Sequence, residues 1–459
     1  MGVYLLLAVG ATTALTEATA ACGAWPLCGG GWTLPSVLDG WVAVGHRLVA
    51  VVVGLLLLTT TVVGWRTGAG ADRRVRLALL ASLALYPVQA GLGAFVATSG
   101  ADPTLSTVHL AVAMAIFGGL VLALAWNLES ETGDPDDAPT SEPTRASADS
   151  TNEDLTEPSS PAERPAVPTG LARVKATAWA YFRLTKPRLM WLLCLVAGAA
   201  MALAGGPGLT LETVAATLGG GALSIGASGT FNHVLERDVD RKMNRTSDRP
   251  LALDLVPVRN AVAFGVVLAA ASLALFASVN LLAAALGLAA ILFYSVVYTL
   301  LLKPNTVQNT VLGGAAGALP ALIGWVAVTG EIGLVGLALA GVIFLWTPAH
   351  FYNLALAYKD DYERGGFPMM PVVRGETATR RHILYYLGAT LLAAGALATA
   401  DKLGTLYVLT GVALGAAFLW AVVRLHYEKS ESAAFRSFHA SNAYLGALLL
   451  AIVVDALAV

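Results

Sequence analysis

The stretch LETVAATLGGGALSIGASGTFNHVLERDVDRKMNR, residues 211–245, decides the fold. Its first 23 residues are mostly apolar or small, and long enough to cross a bilayer as a helix. It then closes on Asn232, Glu236 and Asp240, spaced i, i+4, i+8. On a helix such residues drift by about 40° per step, so all three face one side, while Asp238 points elsewhere. Arg241, Lys242, Arg245 and Arg249 follow at once. A solvated loop obeying the positive-inside rule would also collect charges here. It would have no need of acids held in register beside an apolar helix. Oxygen ligands on one face at a membrane surface suit Mg²⁺, which binds one or two carboxylates and keeps places for water and phosphate oxygens. A diphosphate would complete such a site.

Outward from this stretch the chain has the same character. Of 459 residues, 56% are hydrophobic and 13% charged, against roughly 25% charged in an ordinary globular protein. Few soluble folds hide so much apolar surface. Thirteen stretches are long enough to span: 3–21, 46–65, 77–98 and 108–128, then 189–206, 211–233, 257–279, 281–302, 308–328, 333–356, 382–400, 404–424 and 441–458. The expected architecture is all-α and polytopic: a four-helix bundle over 1–128, a linker over 129–169 and a nine-helix bundle over 170–459. From Glu129 to Pro168 the linker holds 11 acids and 2 Arg, net −9, which predicts a polar disordered tether. The remainder is mildly basic, at +7. This balance excludes a secreted disulfide scaffold, a coiled coil and a nucleic-acid binder with a broad basic face. Arg outnumbers Lys 21 to 7, as in salt-adapted proteins and in products of GC-rich genomes.

Basic clusters at 66–76, 186–188, 237–249, 303, 359–381 and 424–436 fall on one side of the membrane if Met1 starts in the cytoplasm; the alternate loops carry only Lys402 as a base. The expected location is therefore the cell membrane, with the N-terminus, the tether and the acidic site on the cytoplasmic side. The first stretch lacks a positive n-region and is broken by Glu17, so it reads as a span rather than a cleaved signal.

A second polar cluster lies on that same side. It runs from Trp346 through His350 and Asn353 to Lys359, Asp360 and Asp361. Ionisable groups at a membrane edge are candidates for function. His350 reads equally as a core histidine with a satisfied hydrogen bond, and Asp361 as a helix cap. If the two acidic clusters face each other, they can hold two Mg²⁺ on one diphosphate and stabilise it as an allylic C–O bond breaks, in a pocket from which helices exclude water.

Residues 170–459 resemble the UbiA-type intramembrane prenyltransferases and, among them, the branch that farnesylates protohaem IX. The resemblance is carried by Leu184-Thr-Lys186-Pro-Arg188, the Asn232–Arg249 segment, Tyr298-Thr-Leu-Leu-Leu-Lys303, Gln308-Asn309, Gly313 to Pro320, Gly324-Trp325 and Trp346 to Pro371. It implies that Asn232, Glu236 and Asp240 form the first acidic motif, with Glu236 where an Asp is usual. Asp361 matches the second motif, whose partner acid is missing here. Asn353 or His350 would stand in for it. It also implies that Lys186, Arg188, Tyr298, Lys303 and the bases from Arg241 to Arg249 serve diphosphate or haem propionates, with Asp360 nearby. Gly313 and Gly317 read as close helix packing.

In the first half, His46 and His109 open two spans running inward from the same face, so they lie at matched depth. Such a pair could ligate one haem iron axially, or be ordinary interfacial residues. Cys22 and Cys28 share an outer loop and are placed for a disulfide; Cys194 is a packing residue within a span. Leu15-Thr-Glu17, Cys22 to Cys28, Gly45 to Leu48, Gln89 to Gly93 and Val108 to Leu110 resemble one four-helix half of haem A synthase, with Ala43 where that family carries an acid.

The expected activity is transfer of a farnesyl group from farnesyl diphosphate to a haem B vinyl group, with water addition, giving haem O. Mg²⁺ is the expected cofactor, with haem in the first half as a second. The expected partners are these two substrates, the lipid bilayer, and haem A synthase or oxidase assembly factors, with no nucleic acid. Two alternatives stand beside it. One is a UbiA-type transferase acting on a quinone precursor or lipid. The other is a bis-His protein that passes electrons or delivers haem.

Overall fold

The computed structural model describes residues 2–15, 22, 24–25, 28, 35, 37–66, 72–99, 102–134, 137, 170–400 and 402–458. The tether beyond Asp137 and Glu17 lie outside the described residues. All regular structure described is helical. In the first half these are α1 (Gly2–Leu15), α2 (Leu38–Arg66), α3 (Arg73–Thr98) and α4 (Pro103–Thr132). After the tether come α5 (Gly170–Leu184), α6 (Pro187–Ala204), α7 (Leu211–Leu235), the short α8 (Arg237–Asp240), α9 (Val258–Val279) and α10 (Leu281–Leu292). A π-helical segment, Phe293–Leu302, continues α10. The rest are α11 (Asn309–Thr329), α12 (Leu334–Ala357), the short α13 (Lys359–Arg364) and α14 (Met370–Val373), α15 (Gly375–Leu397), α16 (Thr405–Glu428) and α17 (Glu431–Ala458).

Each of the thirteen expected spans coincides with one of these helices. Ten are long and apolar enough to cross a membrane by length and composition, so this is a multi-pass membrane protein. The others have evident reasons to fall short. α1 is described over only 14 residues. α7 is rich in Gly, Ser and Thr, and α15 opens on Glu376, Arg380, Arg381 and His382. Polar residues start the helices where spans begin: Asp72, Asp102, Thr210 and Asn280 each accept a backbone N–H of the first turn.

The two halves are packed together. One hydrophobic core runs from Tyr4, Ile116, Phe117 and Val121 to Leu387, Leu391, Phe418 and Tyr444. At its polar edge Trp126 Nε1 donates to Tyr385 Oη at 2.8 Å, Arg381 pairs with Glu129, and Tyr427 Oη donates to Glu131 at 2.8 Å. The Asp137 carboxylate accepts the Thr377 N–H at 2.6 Å, which fastens the start of the tether to the first turn of α15.

Small residues bring α11 against its neighbours, as the packing reading anticipated at Gly313; at Gly317 a Cβ would make only ordinary contacts, at 3.5 Å and beyond. A Cβ at Gly313 would lie 2.6 Å from the Tyr298 ring, and one at Gly314 would lie 3.1 Å from the Phe344 carbonyl. At Gly324 it would collide with the carbonyl of Ala197 on α6. Gly324→Val is therefore expected to cost about 1–3 kcal/mol through overpacking. The check is a lower thermal midpoint in detergent, and a midpoint equal to wild type would contradict this contact.

Candidate active site

Asn232 lies in the last turn of α7, and the chain leaves that helix at Leu235 and turns through Glu236 into α8. The backbone bonds from Glu236 N to Asn232 O (2.9 Å) and from Asp240 N to Glu236 O (2.8 Å) keep the helical phase across the break. Asn232, Glu236 and Asp240 therefore share one side, as their spacing required, and all three are buried, at 2%, 5% and 2% exposure. Asp238 points outward, its side chain 76% exposed.

Each of the three meets a base. Lys186 Nζ donates to Asn232 Oδ1 and, at 3.3 Å, to Tyr294 Oη. Lys303 Nζ lies 2.5 Å from Glu236 Oε1. A guanidinium nitrogen of Arg249 spans both Asp240 oxygens at 2.7 and 2.8 Å and sits 3.7 Å from Glu236. Burial pushes the Glu236 carboxyl up, but Lys303, Lys186 and Arg249 outweigh it and hold the group below its usual range. Burial and the neighbouring Arg249 bring the Lys186 ammonium down to about 7, against the pull of Glu236 and Asp240. Lys186 itself adopts a left-handed conformation, φ 53°, unusual for a residue with a Cβ. That turn aims its side chain back toward α7.

The partners on the facing element come from the π-helical segment. Thr299 Oγ1 accepts from Asn232 Nδ2 at 3.2 Å. With Lys303 on Glu236, this makes a two-rung ladder between residues 232 and 236 of one strand of chain and 299 and 303 of the other. The Lys303 N–H bonds to the Tyr298 carbonyl, five residues back. This wider coil lets Tyr294, Thr299 and Lys303 address the same side, a use typical of π-helical insertions.

Behind Lys186 an apolar cavity runs between α6, α7, α9, α10 and α11. Leu189, Leu193, Cys194, Ile225, Gly221, Thr217, Phe276 and Ile323 line it, and Ser228, Gly229 and Tyr294 lie toward the Lys186 end. From Gly229 to Thr217 it follows 12 residues of α7, about 18 Å at 1.5 Å per residue.

The second cluster is less convergent than the sequence suggested. Asp361 accepts the backbone N–H groups of Asn244 (3.1 Å) and Arg245 (2.9 Å) and pairs with Arg364. Burial raises its pKa, but these donors outweigh burial and keep the carboxyl below its usual range. It thereby fixes the loop that follows Asp240 and lines a separate polar cavity with Arg245, Lys359, exposed Asp360, Arg380 and Lys429. Arg245 lies over the Tyr358 and Tyr362 rings, at 4.9 and 5.1 Å. Among the described residues no three His, Cys, Asp or Glu side chains converge as a ready metal cage. The first cluster forms an amide-and-carboxylate face, and Asp361 of the second is held on the loop that follows it.

His350 takes the packing role: its ring stacks between Trp346 (4.2 Å) and Phe438 (4.4 Å), and Nδ1 pairs with Ser441 at 2.7 Å. Asn353 is fully buried and bonds to Ala349 of its own helix, leaving its Oδ1 without a partner. Arg188 and Lys242 are exposed, and Arg241 pairs with Asp254 at 2.7 Å. Tyr294 and Thr299 were not anticipated. Their signal was present, since each stands four residues before an expected site residue, Tyr298 and Lys303.

In the first half, Cys22 and Cys28 form a disulfide. His46 on α2 and His109 on α4 each have a buried Nδ1 without a hydrogen-bond partner among the described residues. Gln89 Nε2 lies 3.2 Å from His109 Nε2.

A polytopic helical bundle with a buried amide–carboxylate–base site at the mouth of a long apolar cavity defines a membrane enzyme that handles a prenyl chain with an anionic head. Residues 191–446 match the UbiA prenyltransferase family, and residues 1–150 match a family described as cytochrome oxidase assembly protein. The chain belongs to the UbiA prenyltransferase family. Protoheme IX farnesyltransferase 1 of Natronomonas pharaonis is 67% identical over 459 residues, covering the whole of this chain and 97% of that one. Protoheme IX farnesyltransferase of Haloarcula marismortui is 64% identical over 460 residues, covering all of this chain and 96% of that one. A solved digeranylgeranylglyceryl phosphate synthase shares the fold, with a TM-score of 0.53 and 15% identity over 62% of this chain and the whole of that one.

Proposed function

We propose that this chain transfers a farnesyl group from farnesyl diphosphate to a vinyl group of protohaem IX, giving haem O. The observation that carries the mechanism is the union of the Asn232–Glu236–Asp240 face with the apolar cavity behind Lys186. The full-length relatives named for this reaction support the choice of acceptor.

The farnesyl chain lies in the cavity, whose length matches three isoprene units. Its diphosphate sits at the mouth among Lys186, Arg249 and Lys303. The donor set fits Mg²⁺: Asn232, Glu236 and Asp240 offer hard oxygens, each now balanced by a base that can turn to a phosphate oxygen. Mg²⁺ held there would neutralise charge on the departing diphosphate as the allylic C–O bond breaks. The surrounding side chains exclude water until the vinyl carbon attacks farnesyl C1. Water then adds to the other vinyl carbon and loses a proton, leaving a hydroxyethylfarnesyl side chain and free diphosphate. Asp361 acts by fixing the 243–246 loop from which Arg249 follows. The site faces the cytoplasm, where the basic loops gather.

The test is purified protein with haem B and labelled farnesyl diphosphate. A farnesylated haem product supports the reading; label moving only to a phenolic or lipid acceptor refutes it. The cavity makes a further prediction. A side chain at Gly221 would meet nothing within 4 Å, so Gly221→Phe should fold and fill the deep end. Farnesyl transfer should fall by at least about tenfold, the scale of one lost buried group, while a shorter geranyl donor is spared. Equal loss with both donors would contradict the chain's placement.

A second role for the first half is favoured by the buried imidazole nitrogens of His46 and His109. His46 and His109 would hold a haem iron through imidazole nitrogens, each ring having a buried Nδ1 without a hydrogen-bond partner among the described residues. Full-length protein titrated with haem B should show a low-spin spectrum that His46→Ala with His109→Ala abolishes. A spectrum unchanged in that double variant would remove this assignment.

A further inference from the structure

Helix α5 takes no part in this chemistry, yet it differs from every span. It reads GLARVKATAWAYFRL, with three bases and no acid. Its apolar positions 171, 174, 178 and 182 fall, at about 100° per residue, within a stripe about 80° wide. Only its last turn is held by protein. Ala180 and Leu184 are buried with Leu251, Val256 and Ala261, and Tyr181 meets the Phe264 ring edge-on at 5.0 Å. Leu171, Val174 and Phe182 are 71%, 64% and 49% exposed. The stripe they form faces away from the buried Ala180 and Leu184, and Tyr181 borders it beside Val174.

Connectivity fixes where this face stands. α5 ends at Leu184 and the span α6 begins at Pro187, so α5 lies where the chain enters the bilayer. Residues 170–188 carry five bases and no acid, directly after a tether of net −9. Arg183 is paired with Asp248 at 2.7 Å. Arg173 and Lys175 make no ion pair with a described residue. A short helix with one apolar stripe, flanking bases and too little apolar length to span is the pattern of an in-plane surface helix, and long basic stems reach headgroups from such a position. The next residues, Thr185 and Lys186, pack on Gly226 and Gly229 of α7, where a Cβ would lie 3.4 and 3.2 Å from their side chains.

We propose that α5 is an in-plane membrane helix that sinks the Leu171–Val174–Phe182 stripe into the leaflet and binds anionic lipid headgroups through Arg173 and Lys175. It thereby holds Lys186, at the mouth of the apolar cavity, at the depth where an amphiphilic diphosphate lies. This last consequence rests on the prenyl reading of that cavity; the lipid contact does not.

The test uses full-length protein with Cys194→Ala and a nitroxide label at Val174→Cys. It is reconstituted in vesicles of phosphatidylcholine with phosphatidylglycerol, and in phosphatidylcholine alone. Collision with oxygen reports the acyl region, and collision with a water-soluble nickel chelate reports solvent. In the anionic vesicles the label should be oxygen-accessible and chelate-protected. Arg173→Gln with Lys175→Gln should shift the bound-to-lifted population by about five-fold per base, and the shift should vanish in phosphatidylcholine. A label open to the chelate in both vesicles would overturn the proposal, as would burial indifferent to lipid charge and to both substitutions. The measurement reads no catalysis, so it separates from any failure of the transfer reaction.

Discussion

Asp240→Asn is expected to cut farnesyl transfer by about 10²–10³-fold, the cost of removing one preorganised charge-stabilising group from a reaction centre. Asparagine keeps the volume and one oxygen but gives up the charge that two demands share. In the resting protein that carboxylate balances Arg249, whose nitrogen touches both of its oxygens. In the working protein it would join Asn232 and Glu236 on Mg²⁺, freeing Arg249 for diphosphate. The loss should appear in kcat at saturating Mg²⁺, with expression retained. Turnover near wild type would remove Asp240 from the site.

The second large effect falls on stability as well as activity. Arg249→Met leaves the Asp240 carboxylate, only 4% exposed, without its main partner. Orphaning one member of a buried ion pair costs about 3–5 kcal/mol. Because the Arg249 side chain is 21% exposed, the lower end applies, about 3 kcal/mol. Neutralising both partners, with Asp240→Asn in the same chain, should restore most of the thermal midpoint while transfer stays lost. If the double variant unfolds as early as Arg249→Met alone, the two groups are not energetically coupled as their geometry requires.

Much of this was legible in the sequence for reasons that can be named. Spans announce themselves by length and hydropathy, and the basic loops between them alternate. Asn232, Glu236 and Asp240 were readable because helical spacing converts position into facing, and the break at Glu236 does not spoil that phase. Lys186, Lys303 and Arg249 could be singled out as bases, but not assigned to their partners. Pairing Lys303 with Glu236 depends on a π-helical coil that leaves no mark in composition. Asp361 looked like half of a metal site because its residue type fits. Its carboxylate instead accepts the 244 and 245 amides, a tertiary contact no spacing reveals. His350 presented two equal readings until its stacking on Trp346 and Phe438 fixed one. The packing of Tyr4 and Val121 against the second half was hidden because a lipid-facing and a protein-facing leucine or valine read alike. α5 escaped notice for the opposite reason: it is too polar and too short to be read as a span.

The central claim is that a prenyl diphosphate docks head-first on Asn232, Glu236 and Asp240 with its tail in the cavity behind Lys186. The most direct test is a structure of the full chain with a non-hydrolysable farnesyl thiodiphosphate and Mn²⁺ in place of Mg²⁺, read by anomalous scattering. The account predicts a manganese peak bonded to Glu236 or Asp240 and to the diphosphate, with the chain running past Leu193 and Gly221 toward Phe276. A metal and diphosphate seated instead in the polar cavity beside Asp361 and Arg380, with the apolar cavity empty, would contradict it.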